Sequence, residues 1–176
     1  MTVANRITLF RVALVPVFIW VALTGHPYVA FSVFLFAALT DILDGFLARK
    51  LKQVSNFGAF IDPLADKLMV MAALLVLIAE GTVGALPVII VLTREFIVTS
   101  LRLVAVEQGK IIPAGYAGKI KIIVQTAAIA YLIAPVARAW GADGIAVWVM
   151  AAVTVWSGVD YVWRHRDVLT RASSAK

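Results

Sequence analysis

YVAFSVFLFAALTDILDGFLARKLKQVSNFGAFIDPLAD, residues 28–66, passes from oily to acidic and back. Its first part, about 28–48, is apolar over the roughly 20 residues that a helix needs to cross a bilayer. That run ends in Asp41 and Asp44, and Asp62 and Asp66 follow where the next apolar run begins. Carboxylates beside hydrocarbon cost free energy and persist only where something compensates them. Four in so short a stretch repel one another unless a cation sits between them. The stretch therefore predicts two membrane helices whose facing ends share an acidic site.

Working outward, the whole chain has the same character. Of its 176 residues 62% are hydrophobic, and the mean hydropathy is +0.97. A soluble domain is about 45–50% apolar, so the excess indicates an integral membrane protein. Six apolar segments stand out, at 5–24, 28–48, 62–79, 86–107, 119–138 and 143–163. Breakers separate them: Gly25-His26-Pro27, the polar run Lys50 to Asn56, Glu80-Gly81, Gly109 to Gly118, and Gly141. The expected fold is all-α, a polytopic membrane protein with six transmembrane helices in a single domain over residues 1–176. Residues 12–23 follow Arg6 and Arg11 as the core of a signal peptide would. No small-x-small cleavage site ends the run, so an uncleaved first membrane helix is expected.

The net charge is +6 and the pI about 9.9. The basic residues flank apolar segments, which points to an anionic membrane face or substrate rather than to nucleic acid. Arg49, Lys50, Lys52, Lys67, Lys110, Lys119 and Lys121 lie near the connections after the second and fourth segments. Arg6 and the tail residues Arg164, Arg166, Arg171 and Lys176 fall on the same side, whereas the other side has Arg138 alone. The positive-inside rule then puts both termini in the cytoplasm, in agreement with an even number of helices. All four aspartates come to that side. The absence of cysteine excludes disulfides and thiolate chemistry, and two distant histidines, His26 and His165, argue against a His-based zinc site.

On a helix, positions three, four and seven apart share a face. Asp41, Asp44, Gly45 and Ala48 form one such stripe, and Gly58, Asp62 and Asp66 another. Pro63 suits the first turn of a helix beginning near Asp62. Hard oxygen ligands without His or Cys select Mg²⁺, Mn²⁺ or Ca²⁺. The small residues on the same faces leave room for a large ligand or for close helix packing. Each residue alone fits an ordinary helix end; the constellation asks for a metal and an anionic ligand.

The pattern D-x-x-D-G-x-x-A-R, eight residues, G-x-x-x-D-x-x-x-D is complete in Asp41, Asp44, Gly45, Ala48, Arg49, Gly58, Asp62 and Asp66. It resembles the signature of the CDP-alcohol phosphotransferases. The resemblance implies a six-helix membrane fold, commonly a homodimer, that moves a phosphatidyl or phospho-alcohol group from a CDP-linked donor to an alcohol and releases CMP. It further implies that Asp41, Asp44, Asp62 and Asp66 hold Mg²⁺ or Mn²⁺, two ions in all, with Asp66 also the general base. Gly45, Ala48, Arg49 and Gly58 would form the CDP surface. These residue types suit the chemistry. Metal ions neutralise a diphosphate and stabilise the leaving CMP, a carboxylate can take the acceptor's proton, and an arginine can grip a phosphate by two parallel hydrogen bonds.

Thr93-Arg94-Glu95, Arg102, and Gly118-Lys119-Ile120-Lys121 with Gln125 interrupt later apolar runs. Arginines inside a membrane segment call for a partner or an anionic ligand, and Glu95 could supply the partner. Arg94 and Arg102 are two turns apart on nearly one face. This stretch, with Asn5, Thr8 and Arg11 near the N-terminus, is similar to the branch of the family that accepts sn-glycerol 3-phosphate. Ala4 and Ile122 depart from that branch, standing where proline and threonine are usual. The similarity implies CDP-diacylglycerol as donor. It puts the acceptor phosphate among Arg94, Arg102, Lys119, Lys121 and Arg11, and Asn5 and Thr8 at the nucleotide or diphosphate. It implies a multi-pass protein of a bacterial plasma (inner) membrane with its active site on the cytoplasmic side. The competing expectations are a sister enzyme with another acceptor, such as a cardiolipin or phosphatidylinositol phosphate synthase, and a cation transporter. The transporter fits less well, because its ions bind near the midplane and not at one face.

Overall fold

The computed structural model describes residues 3–51, 56–109, 112, 113, 115–135 and 141–166; the side chains of residues 3–7, 41–51, 56–64 and 66 lie outside that description. Among these residues the chain is all helical. The helices are α1 (Val3–Leu23), α2 (Pro27–Leu51), α3 (Asn56–Ala79), α4 (Ala85–Glu107), α5 (Tyr116–Ile133) and α6 (Asp143–Arg164). Four of the expected boundaries hold to within a few residues, and two need correction. The third helix starts at Asn56 and not near Asp62, so Pro63 lies well inside α3 and Gly58 is already helical. The fifth ends at Ile133, not at 138, because Pro135 disfavours helical backbone in the residue before it.

Sequence punctuation explains the helix ends. Gly25 and Gly81 adopt φ of 79° and 71°, a left-handed conformation that costs glycine little. At α1, the Gly25 amide donates to the Ala22 carbonyl and the His26 amide to the Val21 carbonyl. At α3, Gly81 donates to Ile78 and Thr82 to Leu77. Both are Schellman closures, which satisfy carbonyls that the helix leaves open.

The chain forms two compact units, one of residues 1–83 with 129–143 and one of 84–128 with 144–176. In the first, α1 packs on both α2 and α3. Its core contains Phe18 and Phe34, with ring centroids 6.2 Å apart, and Leu74 and Leu77. In the second, each helix buries a stripe at three-to-four-residue spacing. In α4 the stripe is Val88, Val91, Val98, Leu101 and Ala105. In α6 it is Val147, Met150, Thr154, Ser157 and Tyr161.

Large apolar side chains also stand exposed on every helix, among them Trp20, Phe36, Leu75, Phe96, Ile123 and Trp148. Such surface suits an apolar solvent. By length and composition α5 and α6 can each cross a membrane, while the apolar parts of the first three helices, Thr8–Leu23, Pro27–Thr40 and Lys67–Ala79, are shorter. Helix α4 is long enough at 23 residues, but Arg94, Glu95 and Arg102 interrupt it.

Candidate functional site

Two groups of residues matter, one in each unit. In the first unit, α2 and α3 are consecutive, touch each other, and are separated by only four residues, which makes them antiparallel neighbours. Asp44 lies seven residues before the end of α2 and Asp62 six residues after the start of α3. Asp41 and Asp66 each lie ten residues from the same connection. At 1.5 Å per residue the four positions form two rungs, about 10 Å and about 15 Å along the helices. The side chains of Asp41, Asp44, Gly45, Ala48, Arg49, Gly58, Asp62, Asp66 and Asn5 are outside the described residues. Among the described side chains no group of three or more His, Cys, Asp or Glu could hold a metal ion. The donor set on the two rungs is all carboxylate, which fits Mg²⁺ or Mn²⁺ in kind. On α1, Thr8 and Arg11 are both buried.

The second unit holds Arg94, Arg102, Lys119 and Lys121. In α4 the stripe position between Val91 and Val98 is taken by Arg94 and Glu95. In α5, Lys121 and Gln125 are buried one turn apart, and Ser157 occupies the α6 stripe. Three helices thus place polar residues where an ordinary packed core would have aliphatic ones, and burial demands that these find partners.

The partners are well defined. Arg94 Nη1 donates to Glu95 Oε1 at 3.1 Å. Its Nη2 donates to Ser157 Oγ at 2.7 Å. Lys121 Nζ donates to the same Glu95 Oε1. Glu95 is itself fixed at its backbone, where the Thr99 hydroxyl donates to its carbonyl at 2.7 Å. One carboxylate therefore serves two cations, Lys121 buried and Arg94 part-buried. Among the described residues two buried donors, Arg94 Nε and Gln125 Nε2, have no acceptor. The arrangement is suited to an anion rich in acceptor oxygens.

Arg102 stands apart from this trio. Its Nε approaches the Tyr161 hydroxyl at 3.4 Å, and its guanidinium lies 5.6 Å from the Tyr161 ring centroid. Tyr161 is buried against Val98 and Leu101. Arg94 and Arg102 do share a face, since both reach α6 one turn apart, at Ser157 and Tyr161. Lys119 is exposed on the first turn of α5, and no described contact joins it or Arg102 to the trio. Sequence reasoning missed Ser157, Gly158 and Tyr161. A hydroxyl, a glycine and a phenol in the middle of an apolar helix were the available signal.

Comparison with known proteins decides the class. The family described as CDP-alcohol phosphatidyltransferase matches residues 1–156. The chain belongs to this family. It is 38% identical to the CDP-diacylglycerol–glycerol-3-phosphate 3-phosphatidyltransferase of Bacillus subtilis, across 94% of this chain and 95% of that one. It is 39% identical to a probable phosphatidylglycerophosphate synthase of Mycobacterium tuberculosis, across 94% of this chain and 82% of that one. A Pseudomonas fluorescens protein, also a CDP-diacylglycerol–glycerol-3-phosphate 3-phosphatidyltransferase, is 40% identical across 94% of this chain and 92% of its own. Family membership makes the chain an enzyme.

Proposed function

We infer that this enzyme transfers a phosphatidyl group from CDP-diacylglycerol to sn-glycerol 3-phosphate, yielding phosphatidylglycerophosphate and CMP. One observation carries the choice of acceptor: relatives with that named activity match nearly end to end at 38–40% identity. The trio of Arg94, Glu95 and Lys121 supports it, holding two cations at one carboxylate and leaving Arg94 Nε without an acceptor among the described residues, as a phosphorylated alcohol requires.

In this reading Asp41, Asp44, Asp62 and Asp66 hold Mg²⁺ or Mn²⁺, two ions. Bound divalent metal neutralises the donor's diphosphate and stabilises the charge of departing CMP. Asp66 accepts the proton of the acceptor's primary hydroxyl, and that oxygen forms the new bond to phosphorus as the bond to CMP breaks. Gly45, Ala48 and Gly58 leave space for the nucleotide. Arg49 pairs with a phosphate, and Asn5 and Thr8 flank the diphosphate. Arg94 and Lys121 take the acceptor phosphate, with Arg102, Lys119 and Arg11 as the further cations that the family resemblance assigns to it.

We read residues 1–176 as one membrane domain with six spans, both termini and the catalytic face in the cytoplasm of a bacterial cell, working as a homodimer. The charge bias and the exposed apolar surface of every helix support the topology. The charges of α4 are compatible with a span, because two of them pair with each other inside the fold.

The test is direct. Protein purified in detergent receives CDP-diacylglycerol and, in separate reactions, glycerol 3-phosphate, phosphatidylglycerol or inositol phosphate. CMP release with glycerol 3-phosphate alone is expected. Release no greater than the enzyme-free blank with that acceptor, or faster release with another, overturns the assignment. Magnesium flux in proteoliposomes without CMP release would instead favour a transporter.

A further inference from the structure

Gly158 of α6 lies beside Ser157 and takes no part in any hydrogen bond described above. Its importance is in the atom it lacks. A Cβ built there would come within 2.9 Å of Arg94 Cγ and 3.9 Å of Arg94 Cβ. Real Cβ atoms do not approach a neighbour at 2.9 Å, so any other residue at 158 pushes the Arg94 stem aside. Among the described glycines with no positive φ, Gly84, Gly115, Gly118 and Gly144 have open space instead. The α6 backbone at 158 is helical, where glycine is less favourable than alanine by about 1 kcal/mol. Glycine here costs helix stability and gains a passage for one side chain.

We propose that Gly158 is a positioning residue for acceptor binding: its bare backbone admits the Arg94 stem and, with Ser157 and Glu95, sets the guanidinium beside Lys121. This rests on the reading of Arg94 and Lys121 as acceptor-phosphate ligands. The geometry explains why three devices converge on one arginine. Gly158 fixes where the stem runs. Ser157 takes one terminal nitrogen and Glu95 the other, which sets the rotation of the guanidinium plane. Nε, the edge nitrogen, keeps a buried N–H without a protein acceptor. A guanidinium presents five donors in a rigid fork, so orienting the plane decides which of them meets a phosphate oxygen. Glu95 lowers the cost of holding Arg94 and Lys121 side by side with little exposure to water.

The experiment measures KM for glycerol 3-phosphate and for CDP-diacylglycerol in Arg94→Ala, Gly158→Ala, Ser157→Ala and the double variant Gly158→Ala/Arg94→Ala. Ser157→Ala adds no volume and keeps the test open if Gly158→Ala does not fold. Arg94→Ala should raise the acceptor KM. Gly158→Ala and Ser157→Ala should each raise it by about tenfold, the loss expected for one hydrogen bond to a charged group. The donor KM should stay near wild type in both. In the double variant, Gly158→Ala should add nothing to the effect of Arg94→Ala, since it acts through that side chain. If Arg94→Ala raises the acceptor KM but Gly158→Ala and Ser157→Ala do not, the positioning role is wrong and the acceptor site stands. Additive effects in the double variant, or equal effects on both substrates, make Gly158 merely structural. An unchanged acceptor KM in Arg94→Ala overturns the acceptor site and the proposal with it.

Discussion

Replacing Glu95 with glutamine should destabilise the fold more than any surface charge change. Arg94, Glu95 and Lys121 have side chains only 12%, 16% and 6% exposed, so little water remains to solvate the cations once the carboxylate is neutral. At 3.1 Å and an effective dielectric near 20, one cation–carboxylate contact is worth about 5 kcal/mol before desolvation. Removing one partner of a buried pair typically costs about 3–5 kcal/mol. Glutamine keeps an oxygen that can accept one hydrogen bond, so the low end, about 3 kcal/mol, is expected. For a chain of this size that is a fall in Tm of about 6–12 °C. The assay is a thermal melt of detergent-purified protein, followed by circular dichroism. A second variant, Glu95→Gln/Lys121→Met, removes one of the two cations that Glu95 serves and should recover part of the loss. If the single variant melts within about 2 °C of wild type, or if the double variant is the less stable, Glu95 is not the shared counter-ion.

Three further outcomes are expected. Asp62→Asn and Asp66→Asn should each abolish CMP release with no change in the melt, as should chelation of divalent ions; near-wild-type turnover in either variant would remove it from the catalytic set. Arg102→Ala should cost only about 0.5–1 kcal/mol, because its contacts with Tyr161 are partly solvated; a fall in Tm as large as that of Glu95→Gln would show this to be wrong. Gly81→Ala should lose about 1–2 kcal/mol, since a Cβ at φ of 71° is strained; an unchanged melt would mean that the α3 terminus rearranges freely.

What could be read from the chain alone follows from the range of the forces involved. Helices depend on local pattern, so Gly25, Gly81 and Pro27 marked real ends. The start of α3 was harder to see, because Pro63 imitates a first turn, while α3 begins at Asn56 and runs through Pro63. The five-residue overrun of α5 came from weighing the apolar residues after Ile133 above Pro135. The aspartate stripes could be proposed from spacing along two adjacent helices, and their side chains lie outside the described residues. The cationic site was legible in part: Arg94 and Lys121 draw notice as charges in apolar runs, and Glu95 as a partner for an arginine. Their union through one carboxylate is a contact across 26 residues, and the Ser157 bond one across 63. No local pattern carries such information. Gly158 was the least visible of all, since a glycine in an apolar helix looks the same whether it serves packing, bending or an arginine stem.

The interruption of α4 bears on how the protein is made. An arginine near the middle of a lone membrane helix costs about 3 kcal/mol on insertion, and Arg94 is the tenth of 23 residues in α4. Glu95 is at hand from the start, but Lys121 and Ser157 leave the ribosome later, with α5 and α6. Until they do, α4 carries a polar stripe with half its partners missing. In the proposed six-span topology its settled place in the bilayer depends on α5 and α6, and biogenesis of this part is collective: α4, α5 and α6 enter as a group or α4 waits.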